Sequence, residues 1–215
     1  MTRGLFLSFE GGEGSGKSVQ AKLLAETLAS RGHEPVLTRE PGGTPAGERI
    51  REIVLHAKEI PLSPEAQVLL YSTARAQNVR DVIRPALEAG KIVVADRFFD
   101  STLAYQGHGH GVALDLIRDV TRLACGDLVP DRTFLLDIAV DKGLARSGWR
   151  AQQKWDRFEV LDIAFHERVR EGYRRLAAAE PTRWVVIDAD RDEAAIAKDV
   201  QRELHMLLGA RAAAR

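Results

Sequence analysis

The chain has 215 residues, of which 45% are hydrophobic, and it carries 31 basic and 31 acidic side chains. This length and hydrophobic fraction fit one globular domain, expected over residues 1–209, better than two. The balanced charge argues against a nucleic acid or a membrane surface as the main partner, so any anion must be bound by locally placed residues. Residues 210–215 offer little apolar surface, and we expect them to fray.

The single cysteine, Cys125, excludes an intramolecular disulfide, and its apolar surroundings predict a buried, inert thiol. The N-terminus leads from Arg3 directly into an apolar, strand-like run without a signal-peptide core. No apolar run approaches the roughly 20 residues that are needed to cross a bilayer. The sequence therefore predicts a soluble protein of the cytoplasm.

Short β-rich runs alternate with longer helical patterns along the chain. The predicted strands are Leu5–Glu10, Pro35–Thr38, Ile92–Asp96, Thr133–Asp137 and Trp184–Asp188. The predicted helices are Lys17–Ser30, Ala46–His56, Pro64–Ala89, Leu114–Ala124, Phe158–Ala179 and Asp192–Leu208. Most strands are continuous apolar runs, which is typical of parallel strands covered on both faces. The alternation predicts an α/β fold with a doubly wound parallel sheet, in which ligands bind beyond the carboxyl ends of the strands.

The long third helix contains the pair Arg84 and Pro85. Because the residue before a proline is driven away from helical backbone angles, we expect this pair to divide the helix into two.

A complete phosphate-binding motif, G-x-x-x-x-G-K-S/T, lies between the first strand and the first helix. It comprises Gly11, Gly12, Glu13, Gly14, Ser15, Gly16, Lys17 and Ser18. Its glycines let the backbone curl so that N–H groups point at phosphate oxygens, and the following helix adds the positive end of its dipole. In such a loop the lysine reaches the β- and γ-phosphates and the serine hydroxyl ligates Mg²⁺. The motif predicts binding of a nucleoside triphosphate; the alternative is a glycine-rich turn without a ligand.

Polar groups also follow the second and third strands. The segment 39–44 reads Arg-Glu-Pro-Gly-Gly-Thr, which fits a ligand loop and a solvated turn equally well. Asp96 ends the third strand, where a carboxylate can hold Mg²⁺ directly or through water, and Arg97 beside it can clamp a phosphate. The alternative is a surface ion pair that contributes little to stability. The neighbouring phosphate loop favours the functional interpretation.

Two further patterns carry weaker signals. Tyr71 and Arg75 share one helix face, which suits stacking on a base while holding its phosphate. A half-buried tyrosine beside an arginine that reaches into solvent fits the same spacing. His108 and His110 alternate with glycines and have no cysteine or carboxylate immediately beside them. This favours a flexible connection over a metal site.

The segment 145–155 contains Arg146, Arg150 and Lys154 and no acidic residue. These cations recur at every fourth position, and Gly148 among weak helix formers indicates a movable flap. A lid spanning about residues 145–157 could neutralise charge on a transferring phosphoryl group, whereas the alternative is a solvated basic face. Because the phosphate loop offers no arginine, the lid is an obvious donor of a guanidinium group.

Taken together, these features resemble the bacterial thymidylate kinase family of P-loop nucleoside monophosphate kinases. The resemblance runs from Leu5 to Leu208, and its markers are Phe9–Ser18, Thr38–Thr44, Tyr71 with Ala74–Gln77, Asp96–Arg97, Ser101–Gly107 and Asp156–Glu159. It implies transfer of the γ-phosphoryl group of ATP to dTMP, with Mg²⁺, to give dTDP. It also implies a P-loop NTPase three-layer fold with a five-stranded parallel sheet and a homodimer.

The resemblance further implies which residues form the site. The catalytic residues would be Lys17, Asp96, Arg97 and Arg150. The oxygen ligands of Mg²⁺ would be Ser18 and Asp96. The acceptor pocket would be lined by Glu13, Tyr71, Arg75, Arg97, Ser101, Thr102, Tyr105 and Gln106.

Within that pocket, the resemblance implies that Glu13 lies on the 3′-hydroxyl side of the deoxyribose and that Tyr71 stacks on thymine. Arg75 and Arg97 would hold the base edge and the 5′-phosphate. Tyr105 would crowd a ribose 2′-hydroxyl and so select the deoxy sugar.

The chain departs from the family pattern at two places. Val19 stands where the family usually has a second hydroxyl, a minor change because Ser18 already supplies one. In the lid, the family commonly places an Arg-Gly pair closer to the Asp-Arg of segment 156–159. The lid cation that meets the phosphates therefore stays open among Arg146, Arg150 and Lys154, with Arg150 preferred over Arg146.

Two other functions compete with this interpretation. A kinase of the same architecture could act on another nucleoside monophosphate. A nucleotide-dependent switch could bind ATP or GTP to control a partner, although the sequence contains no Asn/Thr-Lys-x-Asp guanine-reading motif and the basic lid suits transfer better than slow hydrolysis.

Overall fold

The computed structural model describes residues 3–57, 59–147, 158 and 162–213. A central sheet contains the strands β1 Leu5–Glu10, β2 Pro35–Arg39, β3 Ile92–Asp96, β4 Arg132–Asp137 and β5 Trp184–Asp188. Their order is β2-β3-β1-β4-β5, and every pairing is parallel. The predicted five-stranded parallel α/β sheet is confirmed. Because β1 pairs directly with β3, the loops that follow these two strands lie side by side at the carboxyl edge.

Helices surround this sheet. In the described ranges they are α1 Lys17–Ser30, α2 Pro45–Arg51, α3 Pro64–Asn78, α4 Arg84–Glu88, α5 Phe99–Thr102, α6 Leu114–Cys125, α7 Val140–Arg146, α8 Ile163–Ala179 and α9 Glu193–Ala213. π-helical turns follow α2, α3 and α5, at Glu52–His56, Val79–Ile83 and Leu103–Gly109. None of the helices in the described part of the chain is long and apolar enough to cross a membrane.

The sheet is covered on both faces by apolar side chains. Leu5, Leu7 and Phe9 of β1 are buried in one cluster with side chains of α1 and α9. Phe6 points the other way into a second cluster, which also contains Cys125. Each such side chain stabilises the fold by about 1.5–3 kcal/mol. Burial raises the pKa of the Cys125 thiol to about 12, which confirms the predicted buried, inert thiol.

The predicted break at Arg84 and Pro85 is wrong, because α3, the turn Val79–Ile83 and α4 follow one another without a non-helical residue. Proline lacks an N–H and its ring crowds the carbonyl of the preceding turn. A π-turn immediately before Pro85 widens the helix at that point and accommodates the ring.

The glycine-rich run at 107–111 is helical as far as Gly109 instead of forming a loop. Tertiary packing explains the difference, since the ring of His110 lies 4.6 Å from that of Phe165 on α8. A Cβ atom at Gly109 would come within 2.6 Å of Phe165, so glycine is what permits this close approach.

Two helix ends differ from their predictions by more than one residue. Helix α8 begins at Ile163 and not at Phe158, because Asp162 caps it by accepting a hydrogen bond from the N–H of Phe165 at 2.7 Å. Helix α9 continues past the predicted end at Leu208 to Ala213, so the backbone of residues 210–213 is helical. The alanines that follow Gly209 have the highest helix propensity of any residue.

Candidate active site

The loop after β1 curls around the N-terminus of α1. Gly11, Gly14 and Gly16 have φ values of 141°, 64° and 88°, which glycine adopts without steric cost. Gly16 precedes the helix, and no described side chain caps it. The first N–H groups of α1 are therefore available as donors to an anion, as the motif predicts.

Helix α7, which the sequence did not predict, supports this loop by direct backbone contact. A Cβ atom on Gly14 would lie 1.9 Å from the carbonyl oxygen of Gly143 in α7. A Cβ atom on Gly143 would lie 2.4 Å from the carbonyl oxygen of Glu13. Glycine at both positions thus allows α7, the element that directly precedes the predicted lid, to buttress the phosphate loop.

Lys17 folds over the loop and is only 7% exposed. Its Nζ atom donates hydrogen bonds to the carbonyl oxygen of Gly12 at 2.6 Å and to Oγ of Ser15 at 3.2 Å. Burial and the nearby charge of Arg97 together lower the pKa of Lys17 to about 8. An anion bound in the loop would favour the charged form of this amine.

Ser18 and Asp96 meet across the junction of α1 and β3. The hydroxyl of Ser18 donates a hydrogen bond to Oδ2 of Asp96 at 2.5 Å. Hydroxyl and carboxylate oxygens are ligands that Mg²⁺ prefers, and this cation is usually completed by phosphates and water. No three His, Cys, Asp or Glu side chains come together as a metal site in the described residues. The pair therefore fits Mg²⁺ held jointly with a nucleotide.

Arg97 follows β3 in a left-handed backbone conformation, with φ of 72°. This region is costly for any residue with a Cβ atom and marks sites where the surrounding structure enforces it. Its guanidinium donates to the carbonyl of Gly11, to the hydroxyls of Ser101, Tyr173 and Tyr105, and to the carboxylate of Glu13, at 3.1–3.3 Å. The side chain is thereby fixed directly beside the phosphate loop.

Glu13 and Tyr105 complete this cluster. The hydroxyl of Tyr105 donates to Oε1 of Glu13 at 2.5 Å, and the Tyr105 ring lies 5.1 Å below the guanidinium of Arg97. Burial disfavours the charged form of Glu13, but Arg97 and Lys17 outweigh it and lower the pKa of this carboxyl. Glu13 is thus held as a carboxylate at the edge of the cleft.

Arg75 is buried in the cleft wall, with 1% of its surface exposed. Its Nε atom donates to Glu40 at 2.7 Å, and Nη2 donates to Oγ1 of Thr102 at 3.0 Å. The remaining nitrogen, Nη1, has no hydrogen-bond partner among the described residues. An unsatisfied buried donor costs about 1–3 kcal/mol, a cost that a ligand oxygen would offset. The interpretation of Arg75 as an arginine reaching into solvent is therefore wrong.

These groups border one cleft of about 780 Å³, a volume typical of small-molecule sites. The predicted site residues along it are Glu13, Gly14, Gly16, Lys17, Ser18, Tyr71, Arg75, Asp96, Arg97, Ser101, Thr102, Tyr105 and Gln106. The other predicted loop residues, Gly11, Gly12 and Ser15, are not part of this lining. The side chain of Gln106 donates to Gln67 at 3.1 Å in the cleft wall.

Several residues in or directly behind the site had no individual role predicted, among them Glu10, Glu40, Phe158 and Tyr173. Glu10 and Glu40 directly follow or end strands, so the rule that ligands gather at carboxyl ends could have identified them. The ring of Phe158 lies 5.4 Å from that of Tyr105 and 6.5 Å from that of Tyr71. Tyr173 lies on α8, and no local signal marks it.

The predicted lid is only partly described. Arg150 and Lys154 lie outside the described residues. Arg146 ends α7, and its guanidinium donates to the carbonyl of Ala189 at 2.6 Å and pairs with Asp190 at 3.3 Å. Arg146 is thus bound to the loop after β5 and does not border the cleft.

Comparison with known proteins identifies relatives over nearly the whole chain. A family model described as thymidylate kinase matches residues 9–200. A thymidylate kinase of Roseiflexus sp. (strain RS-1) is 48% identical over 206 residues, which cover 91% of each chain. One of Clavibacter sepedonicus is 46% identical over 98% of this chain and 99% of its own. The crystal structure of thymidylate kinase from Ehrlichia chaffeensis superposes with a TM-score of 0.77 at 34% identity, covering 94% of this chain and 99% of that one.

Proposed function

This chain belongs to the thymidylate kinase family, and on that premise we propose that it transfers the γ-phosphoryl group of ATP to dTMP to give dTDP. The observation that carries the proposal is the arrangement of the cleft. Lys17 and Ser18 border this cleft, and two fixed guanidinium groups, of Arg75 and Arg97, border the same space. A donor triphosphate and an acceptor monophosphate would thus share one cavity.

The donor end of the cleft is formed by the phosphate loop. We assign its backbone N–H groups and Lys17 to the β- and γ-phosphates, and Ser18 and Asp96 to Mg²⁺. Bound Mg²⁺ would neutralise charge on the phosphate oxygens. Phosphoryl transfer passes through a loose transition state, so positioning and charge neutralisation supply most of the acceleration.

At the acceptor end, we assign Arg97 to the 5′-phosphate and the unpartnered Nη1 of Arg75 to the base edge. Tyr71 is assigned to stacking on thymine, and Glu13 to the 3′-hydroxyl side of the sugar. No strong general base is required, because a monophosphate is already anionic near neutral pH.

The remaining pocket residues act mainly through neighbours. Ser101 and Thr102 accept hydrogen bonds from Arg97 and Arg75, so we assign them to holding these guanidiniums. Gln106 is anchored to Gln67 at the base end of the pocket. From the lid, Arg150 is proposed as the cation that meets the transferring group, and closure would exclude water that otherwise competes as acceptor.

We further propose that the protein is a cytoplasmic homodimer. Helices α3 and α6 pack against each other, and both expose leucine side chains. Leu69 on α3 is 58% exposed, and Leu123 on α6 is 89% exposed. Covering such side chains with a second copy would stabilise a dimer.

The function is tested by initial rates with dTMP, dUMP, UMP, GMP and AMP at fixed Mg·ATP. We expect the highest kcat/KM with dTMP, because the base, sugar and phosphate contacts are all assigned to it. A clear preference for any other acceptor would overturn the assignment. ATP turnover that is independent of every monophosphate would instead support a nucleotide-dependent switch.

The role of Tyr105 in sugar selection predicts that Tyr105→Ala narrows the preference for dUMP over UMP, because the ring that crowds a 2′-hydroxyl is lost. The matched variant Tyr105→Phe keeps the ring and loses only the hydroxyl that bonds Glu13. We expect this variant to retain the preference while turning over more slowly. Steady-state rates with dUMP and UMP give the ratio of the two kcat/KM values. If this ratio is unchanged in Tyr105→Ala, Tyr105 does not select the sugar.

A further inference from the structure

Glu10 is the last residue of β1, is fully buried, and does not border the cleft. Its Oε1 atom accepts a hydrogen bond from the backbone N–H of Phe98 at 2.7 Å. Its Oε2 atom accepts hydrogen bonds from the hydroxyls of Ser101 at 2.6 Å and Tyr173 at 2.9 Å. One carboxylate therefore joins the turn after β3, helix α5 and helix α8.

These contacts converge on the backbone of Arg97. Its N–H donates to the carbonyl of Phe9 at 3.0 Å, and the next N–H, of Phe98, donates to Glu10. Two consecutive residues of β1 thus hold two consecutive amides. This clamp offsets the cost of the left-handed conformation of Arg97, which is about 1–3 kcal/mol.

The same carboxylate also determines in which direction the hydroxyls that contact the Arg97 side chain donate their hydrogen bonds. A hydroxyl has one proton and two lone pairs. When Ser101 and Tyr173 donate to Glu10, their lone pairs are left to accept from Nη1 of Arg97, which lies 3.1 Å from each oxygen. An amide in place of the carboxylate could donate to these oxygens and compete with Arg97.

We propose that Glu10 is a positioning residue for phosphoryl transfer, which holds Arg97 in the orientation that receives the acceptor phosphate. This role of Glu10 rests on one part of the proposed function, namely that Arg97 binds the acceptor phosphate. Glu10 acts on Arg97 through the turn and the two hydroxyls, and it does not border the cleft that is assigned to the nucleotides.

The charges around Glu10 predict a pH dependence. Burial and nearby Asp100 raise the pKa of Glu10 to about 7, although Arg97 opposes the shift. Lys17 of α1, Arg75 of α3 and the phenol of Tyr173 on α8 also face this carboxyl. As the pH falls through 7, Glu10 takes up a proton and loses an acceptor site, so kcat/KM for dTMP should fall. A monophosphate with a second pKa near 6 adds a second acidic limb of its own.

The decisive variant is Glu10→Gln, which preserves shape and removes the charge. We expect kcat/KM for dTMP to fall about 100-fold, the loss that a misplaced reacting group causes, while KM for ATP changes less than about threefold. In the pH profile of kcat/KM, the fall near pH 7 that is due to Glu10 should disappear, and only the fall that is due to the second ionisation of the substrate phosphate should remain. The thermal midpoint should stay the same or rise, because a buried carboxylate that favours its neutral form costs stability above pH 7.

Tyr173→Phe is the matched second variant, since it keeps a buried ring and removes one hydroxyl between Glu10 and Arg97. We expect kcat/KM for dTMP to fall about 10-fold, again without a change in KM for ATP. If Glu10→Gln does not fold, this variant decides the question. An unchanged kcat/KM for dTMP in either folded variant would overturn the proposal. So would a fall in kcat/KM that is equal for ATP and dTMP and comes with a lower thermal midpoint, because that result indicates a general loss of structure. If the wild type prefers another monophosphate, the same variants are measured with that acceptor. The role of Glu10 is then tested independently of the assignment of dTMP as the acceptor.

Discussion

Lys17→Ala is expected to lower kcat by about 10²–10³-fold or more while leaving the fold intact, because removal of a preorganised charge from a transition state costs about 3–4 kcal/mol. Among the residues that the structure describes, Lys17 donates only to Gly12 and Ser15 of its own loop. Burial disfavours the ammonium form of Lys17, and the side chain borders the cleft, so the substitution removes a costly buried charge and opens space towards the cleft instead of the apolar core. Single-turnover rates with saturating Mg·ATP and dTMP measure the effect on the chemical step.

The matched control is Lys198→Ala, since this lysine is exposed on α9 away from the cleft, and its rate should equal that of the wild type. A pH series adds a second readout. The pKa of Lys17 in the free protein is about 8, so above pH 8 this amine should take up a proton when an anionic nucleotide binds. The affinity for the nucleotide should therefore fall as the pH rises. In Lys17→Ala this proton uptake should be absent. A near-normal kcat in the variant would contradict the assignment of the phosphate loop.

The parts of the site that the sequence predicts are those defined by local signals. The phosphate loop could be located because its glycines fall between an apolar run and a helical pattern, and the observed bounds of β1 and α1 match the prediction. Asp96 could be placed at the same edge because the carboxyl ends of parallel strands meet there. That Ser18 bonds directly to Asp96 follows from the adjacency of β1 and β3, which no local pattern encodes.

Long-range packing explains what the sequence left open. Helical spacing shows that Tyr71 and Arg75 share a face, but not what that face meets. The decisive partner of Arg75 is Glu40, in a segment whose sequence fits a solvated turn equally well. Tyr173 reaches Glu10 across most of the chain, and only the folded arrangement of α8 against β1 reveals it. Such contacts depend on tertiary structure and leave no periodic signal.

Helix α7 illustrates a different limit. It is short, contains Gly143, and lies beside cationic residues that indicate a flap. The reason for that glycine is the carbonyl of Glu13, which a Cβ atom would meet at 2.4 Å. A glycine that lowers helix propensity is thus required by a contact with a loop far away in sequence. Propensity alone predicts the opposite of what packing selects.

Arg97→Ala should reduce kcat/KM for dTMP by about 30- to 5,000-fold or more, because truncating one partner of a largely buried charge pair costs about 2–5 kcal/mol or more. The variant loses the cation assigned to the acceptor phosphate and also leaves the largely buried Glu13 without its main counter-charge. Arg97→Lys keeps the charge but cannot reproduce the fork of hydrogen bonds that reaches Gly11, Glu13 and three hydroxyls, so we expect an intermediate loss. Steady-state kinetics over both substrates separates the effect on dTMP from that on ATP.

Arg80→Ala is the matched control for that series, since its side chain is 81% exposed. It should leave both kinetic constants unchanged. If Arg97→Ala keeps kcat/KM for dTMP within about threefold of wild type, Arg97 does not hold the acceptor. A crystal soaked with dTMP and a non-hydrolysable ATP analogue gives the structural counterpart. Acceptor density beside Arg75 and Arg97 would place both guanidiniums on one nucleotide, whereas density elsewhere in the cleft would remove the physical basis for the large kinetic loss.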